Sequence, residues 1–274
     1  MRKILGLGLG LESKKQVFES YEAETEAYIT KATVLGGEID YKDAVNNLVL
    51  DLKSDGLFDK FDCLYLANKE GVGSRVNLIN PSIVADVINN VSFTDKKGWI
   101  ADDAISALDL NYNPSTSTKY TAGKGTLGLF ITDSSGTPYF LDLIGAFSNS
   151  GQFDYVSYRY GRAYFPLYQS GSLYFLSKAT VTIDNYISAS RNTTEDILLY
   201  SDQAYAGNNT NYLVALPTTH NFYGLAYNNG GFVSVSNNQT KTTGAFFVGE
   251  YLTEAEHIIL KGLLNSYFTA IGGI

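Results

Sequence analysis

The 274-residue sequence holds one cysteine, one methionine, one tryptophan and five prolines. With Cys63 alone, no disulfide within the chain and no cysteine-based metal site can form, so the fold must stand on packing. No run approaches the roughly 20 apolar residues that span a bilayer, the longest being of strand length, and no membrane partner is expected. Basic residues are also short, 20 against 28 acidic, for a net charge of −8. Such a surface repels phosphate backbones, so nucleic acid is not an expected partner. The opening Met1-Arg2-Lys3 and the apolar Ile4 to Leu11 imitate a secretion signal. The run is short, however, interrupted by Gly6, Gly8 and Gly10, and meets Glu12 without a small-residue cleavage site.

What is abundant is aromatic: 21 Tyr and 15 Phe in a chain that is 45% hydrophobic, a composition that favours strands and allows a full core. After Leu57 short apolar runs alternate with Gly, Asn, Ser, Thr and Pro clusters, as in many strands joined by turns. Strands are expected over Leu127–Thr132, Tyr139–Gly145, Phe153–Tyr160, Thr180–Ser190, Asp196–Ser201, Asn221–Tyr227 and Ala245–Val248. Three helices frame them. A polar helix is expected over Glu12–Tyr28, with a thin stripe through Val17, Tyr21 and Ala27. An amphipathic helix over Asp43–Asp55 turns Val45, Leu48, Val49 and Leu52 to one side and ends at Gly56. The last opens on the capping box Thr253-x-x-Glu256, carries a stripe of Ile259, Leu263, Leu264, Tyr267 and Ile271, and stops at Gly272-Gly273. The expected organisation is an attachment arm over residues 1–40, partly helical, and an all-β two-sheet antiparallel sandwich over 41–274 with flanking helices near 43–55 and 253–271.

Several patterns suggest chemistry and fall short of it. Gly37-Glu38-Ile39-Asp40 with Asp43 imitates the Glu-x-Asp-x-x-Glu strand of jelly-roll glycosidases, but it precedes the sandwich and ends on Asp. Gly6-Leu7-Gly8-Leu9-Gly10 lacks the spacing and βαβ setting of a dinucleotide turn. His220 and His257 are the two imidazoles, and without a G-x-S-x-G elbow they are assigned surface or packing roles. Asp102, Asp103 and Asp109 offer oxygens to calcium without a spacing that would gather the six to eight it needs. The Asn-x-Ser/Thr tripeptides at Asn90, Asn192, Asn208 and Asn238 are expected by chance in so Asn- and Thr-rich a chain. The most informative stretch is rich in tyrosine, from Tyr155 to Tyr174. Aromatic faces stack on sugars and anchor interfaces, and alternating Tyr also builds ordinary half-buried strands. Tyr155, Tyr158, Arg159, Tyr160, Arg162 and Tyr164 are therefore the candidate glycan or interface residues.

Three ordered stretches carry a family resemblance: DAVNNLVLDLKSDGLFDKFDCLYLANKEG (43–71) with VNLINPS (76–82); DDAISALDLNYNPST, TLGLFITDSSG and YISASRNTTEDILLYSDQ in the middle; and NFYGLAYNNGG with GAFFVGEYLTEAEHIILKGLLNSYFTAIG. Over roughly residues 40–272 the chain resembles phage virion structural proteins with a concanavalin A-like (laminin G-like) jelly-roll domain. The resemblance implies a jelly-roll sandwich and a non-enzymatic role as a head or tail fibre, decoration or tail-associated component of the virion. It implies other capsid or tail proteins as partners, with no catalytic residue to carry over; no metal or cofactor is expected from the residues. Two alternatives stand beside it, a carbohydrate-binding module for host surface polysaccharide and a glycoside hydrolase. A homo-oligomer is expected, because the arm's stripe needs a surface to cover it.

Overall fold

The computed structural model describes residues 20–121, 124–133, 140–147, 152–159, 162–164, 169–170, 178–179, 185–192, 196–200, 203–207, 218–234 and 241–274. The helices are α1 (Ala23–Val34), α2 (Lys42–Ser54), the single turn α3 (Gly71–Ser74) and α4 (Glu254–Ile271). The early strands are β1 (Phe61–Leu66), β2 (Asp86–Ile88), β3 (Val91–Thr94), β4 (Gly98–Ala101), β5 (Ala107–Asp109) and β6 (Gly125–Asp133). The middle ones are β7 (Phe140–Phe147), β8 (Gln152–Arg159), β9 (Arg162–Tyr164), β10 (Gln169–Ser170), β11 (Lys178–Ala179), β12 (Tyr186–Arg191), β13 (Asp196–Tyr200) and β14 (Gln203–Gly207). The chain then adds β15 (Tyr223–Gly224), β16 (Tyr227–Asn229), β17 (Phe232–Ser234) and β18 (Thr242–Gly249) before α4.

Two sheets form the sandwich expected from the sequence. The first runs β14-β13-β12-β6-β18-β4-β3 with β1 also beside β18. The second runs β11-β9-β8-β7-β15-β5-β2, with β10 on β8, and β16 joining β7 to β17. Pairing is antiparallel except where β16 runs parallel to β7.

The centre of the first sheet, β6 and β18, is buried along nearly its whole length because both faces are covered. Phe246 reaches the second sheet, where a Cβ on Gly224 would lie 2.9 Å from its ring. The next residue, Phe247, alternates to the opposite face and stacks on Tyr186 of β12, 5.5 Å between centroids. On that face α4 lays Phe268 flat on Phe130, at 5.0 Å. The helix is defined at both ends as its sequence predicts: Thr253 and Glu256 exchange both bonds of the capping box, and Gly272 closes it at φ 73°.

Helix α2 buries Val45, Leu48, Val49 and Leu52 as anticipated. The helix expected over Glu12–Tyr28 is instead found at Ala23–Val34, residues 12–19 lying outside the described ones. Its buried residues, Thr25, Tyr28 and Ala32, include a threonine and an alanine that carry little hydropathy signal. Tyr28, Ala32 and Ile39 belong to the same core cluster as Val45 and Leu48. On α4 the buried stripe is His257, Leu260, Leu264, Tyr267, Phe268 and Ile271, while Ile259 is 38% exposed and Leu263 only partly buried. The strand expected over Thr180–Ser190 is described only from Tyr186. The strand expected over Asn221–Tyr227 is split in two: Leu225, buried, takes a left-handed backbone at φ 68°, and the chain turns there to run parallel to β7.

Candidate functional site

Gly224 faces Phe246 and the sandwich interior, so its neighbour Tyr223 faces outward by strand alternation. It packs there with Ala107 and Ala226 in a cluster separate from the main core, bordered by Ile88 and Val233. The same alternation turns Leu108 of β5 inward and Asp109 outward. Register then lines up one residue per strand: Asp86 of β2 opposite Asp109 of β5, Asp109 opposite Tyr223 of β15, and Tyr223 opposite Gly145 of β7. Gly145 in turn is opposite Tyr155 of β8, the first of the candidate tyrosines.

Amides surround Asp109. The Asn221 side chain donates to both its carboxylate oxygens, at 3.1 and 3.3 Å, and the backbone N–H of Asn111 donates to Oδ1 at 2.8 Å. The Asn111 side chain reaches Oδ2 of Asp86 at 2.8 Å, linking the two carboxylates. Burial pushes the Asp109 carboxyl above its ordinary range; the donors from Asn111 and Asn221 pull it back, and the charge of Asp86 adds to the rise. Burial also raises the Tyr223 hydroxyl, with the Asp109 charge contributing. Asn111, Gly145 and Gly230 near the row take positive φ as their residue types allow, whereas Leu225 does so against its own preference.

Of the sequence candidates, Tyr155, Tyr158 and Arg159 lie on β8 and Arg162 and Tyr164 on β9, in a hairpin that sets Arg159 opposite Arg162 and Ser157 opposite Tyr164. Tyr160 lies outside the described residues. Asp102, Asp103 and Asp109 do not converge: Asp102 accepts from Ser92, and Asp103 ties the turn to Ile105 and Ser106. Among the described residues no group of three His, Cys, Asp or Glu stands close enough to hold a metal ion. Glu38 and Asp40 share Lys69, at 3.1 and 2.9 Å, in the exposed approach to α2, and Asp43 accepts from Tyr21 at 3.0 Å. His257 is fully buried among Tyr186, Ser188 and Ser190. Asp86, Asn111, Asn221 and Tyr223 carried no motif; their only signal was polar and aromatic residues at strand ends, which turns alone produce. No helix among the described residues is long and apolar enough to cross a membrane.

Comparison with known proteins adds the fold and little more. No protein-family model and no curated protein matches the sequence. Among solved structures the chain is similar to the botulinum neurotoxin serotype D binding domain, with TM-score 0.51 and 10% identity over 74% of this chain and 51% of that one. It is similar to a structure described as showing that cell entry of botulinum neurotoxin type C depends on interaction with two ganglioside molecules, with TM-score 0.51 and 8% identity over 78% of this chain and 53% of that one. It is also similar to Trypanosoma rangeli sialidase in complex with 2,3-difluorosialic acid, with TM-score 0.51 and 12% identity over 88% of this chain and 38% of that one. The chain therefore spans about half of the neurotoxin structures and less of the sialidase. At such identity the likeness is one of fold, and no residue role passes across it.

Proposed function

We propose that the chain is a non-enzymatic surface-contact module of a bacteriophage virion that binds host surface carbohydrate on the outer side of its second sheet. The observation that carries the glycan part is the Asp109–Asn221 pair beside Tyr223, in register with β8. Sugars are bound by fixed, planar polar groups next to aromatic surface, and here the Asp109 carboxylate at the end of β5 is held by the Asn221 side chain and the Asn111 N–H beside the largely buried Tyr223. The neurotoxin neighbours, one described through ganglioside interaction, lend support at the level of fold. The virion role rests on the ordered resemblance of residues 40–272 to phage structural proteins.

Binding of the full chain to a panel of bacterial surface polysaccharides tests the first part. Asn221→Ala removes the side-chain amide that reaches both Asp109 oxygens, leaving the Asn111 N–H, and should weaken binding about tenfold, the worth of roughly 1.4 kcal/mol. No binding across the panel, or equal binding by the variant, sinks the glycan reading. Absence of the chain from purified particles sinks the virion reading independently.

One observation favours a hydrolase instead. Asp86 and Asp109 stand opposite each other on neighbouring strands, and the two differ in environment, as acid and nucleophile pairs do. We hold to the binding reading because three hydrogen bonds from Asn221 and Asn111 already take up most of the acceptor positions of Asp109. Release of reducing sugar from a bound polysaccharide, lost in Asp86→Asn, would reverse that judgement.

A further inference from the structure

Between α2 and α4 lies an open groove of about 290 Å³, lined by Ala44, Leu48 and Asp51 of α2 and by Leu263 and Ala270 of α4 among others. Leu48, Leu263 and the small Ala44 and Ala270 give it apolar surface beside the polar Asn47 and Ser266, and the exposed Ile259 extends the strip one turn back along α4. We propose that this groove is the docking site of the chain's own N-terminal segment Leu5–Leu11, held in cis.

Pattern, length, volume, reach and charge select that occupant. In Leu5-Gly6-Leu7-Gly8-Leu9-Gly10-Leu11 leucine alternates with glycine, so an extended backbone would present leucines on one side and nothing on the other. Successive leucines would then be about 7 Å apart. The groove runs from Ala44 to Asp51, seven residues of helix or about 10 Å, room for two of them along its length. Its volume agrees, being roughly twice the ~150 Å³ that holds one benzene.

Reach and charge point the same way. The described chain starts at Ser20, and the next residues are tied to α2: the Tyr21 hydroxyl donates to Asp43 and the Glu22 N–H to Asn46. The nine residues from Leu11 to Ser20 span up to ~30 Å, ample to bring the segment onto the same helix. Residues 1–19 hold Arg2, Lys3, Lys14 and Lys15 against Glu12 and Glu19, in a chain of net charge −8, and the groove wall offers Asp51. A second copy is the weaker occupant. Eight residues line the groove, against the 20 to 30 per side of a standard interface, whereas a short tether supplies millimolar effective concentration.

The test uses the full chain with Leu9→Cys and Ser266→Cys joined by a short bis-maleimide and mapped by mass spectrometry; Cys63 is fully buried and stays out of the reaction. The expected product is a monomer linked between positions 9 and 266. A control pair, Leu9→Cys with Phe232→Cys on the exposed edge of the second sheet, should remain unlinked. Ala270→Trp, which fills the groove, should reduce the 9–266 link to the control level. Links between two chains would assign the groove to a neighbouring copy and overturn the proposal, as would equal linking in test and control pairs.

Discussion

Ser190 Oγ lies 2.7 Å from Nε2 of His257, and neither residue is more than 1% exposed. The other ring nitrogen meets the Tyr186 hydroxyl at 3.0 Å and Ser188 Oγ at 2.9 Å, while Thr126 and the Leu252 N–H close the network around Ser190. The arrangement is satisfied by a neutral ring, one nitrogen accepting and the other donating. A protonated ring would place a charge in a fully buried site with no carboxylate among its hydrogen-bond partners. Burial therefore lowers the His257 pKa from its ordinary 6.5 to about 3, against a small opposing pull from Glu256.

Acid should for that reason loosen α4 from the first sheet. The folded chain keeps His257 neutral down to about pH 3, whereas the unfolded chain takes up the proton near 6.5. The contribution is complete above pH 6.5 and is lost progressively as pH falls towards 3. By pH 4.5 the loss amounts to roughly 2 to 3 kcal/mol. Urea melts of the native chain and of His257→Gln at pH 7.5 and 4.5 check this, because the variant should lose distinctly less stability across the interval. Equal losses would remove His257 as the cause.

The attachment of α1 to α2 should depend on a neutral amide more than on charge. Asn46, 1% exposed, accepts the Glu22 N–H at 2.7 Å, whereas Lys53 bridges Glu22 and Glu24 with all three side chains about a third exposed. Asn46→Ala leaves a donor short of its partner and should cost about 1 to 3 kcal/mol. Lys53→Ala should cost below about 1 kcal/mol and less still in high salt. Chemical denaturation of the two variants would reveal a reversed order at once.

Gly98→Ala should be among the most damaging small changes. The residue sits at φ 120°, and a Cβ there would run into the Thr243 carbonyl where β4 meets β18 beside the buried Trp99. Strain and lost pairing together should cost about 3 kcal/mol or more, lowering Tm by at least roughly 6 °C. A variant that melts with the parent would show that β4 can give way locally.

Cys63 is fully buried on β1, and burial, then the Asp62 charge, push its thiol well above the ordinary range. It should resist alkylation in the native chain at pH 8 and react freely in urea. Rapid native labelling would mean that β1 detaches from β18.

Where the sequence reading succeeded, the determining interaction was local. The Thr253–Glu256 box and Gly272 define α4 within its own first and last turns, and the largely apolar centres of β6 and β18 leave no polar face to turn to water. The start of α1 was misread because Thr25 and Ala32 are buried by α2 and the turn α3, contacts that hydropathy along the helix does not encode. The break at Leu225 went unseen for a related reason: leucine has no preference for φ 68°, and packing against the core holds it there.

By itself, then, the sequence determined an antiparallel sandwich closed by a capped helix and without a disulfide inside the chain, since periodicity, caps and composition all act at short range or as sums. Tertiary structure alone decided which outward positions share a row. Asp86, Asp109 and Tyr223 come from three strands up to 137 positions apart in the chain and meet only through register. It also decided that a histidine on a surface-looking helix is enclosed by hydroxyls from β12, because which face of α4 is buried depends on the sheet it lands on.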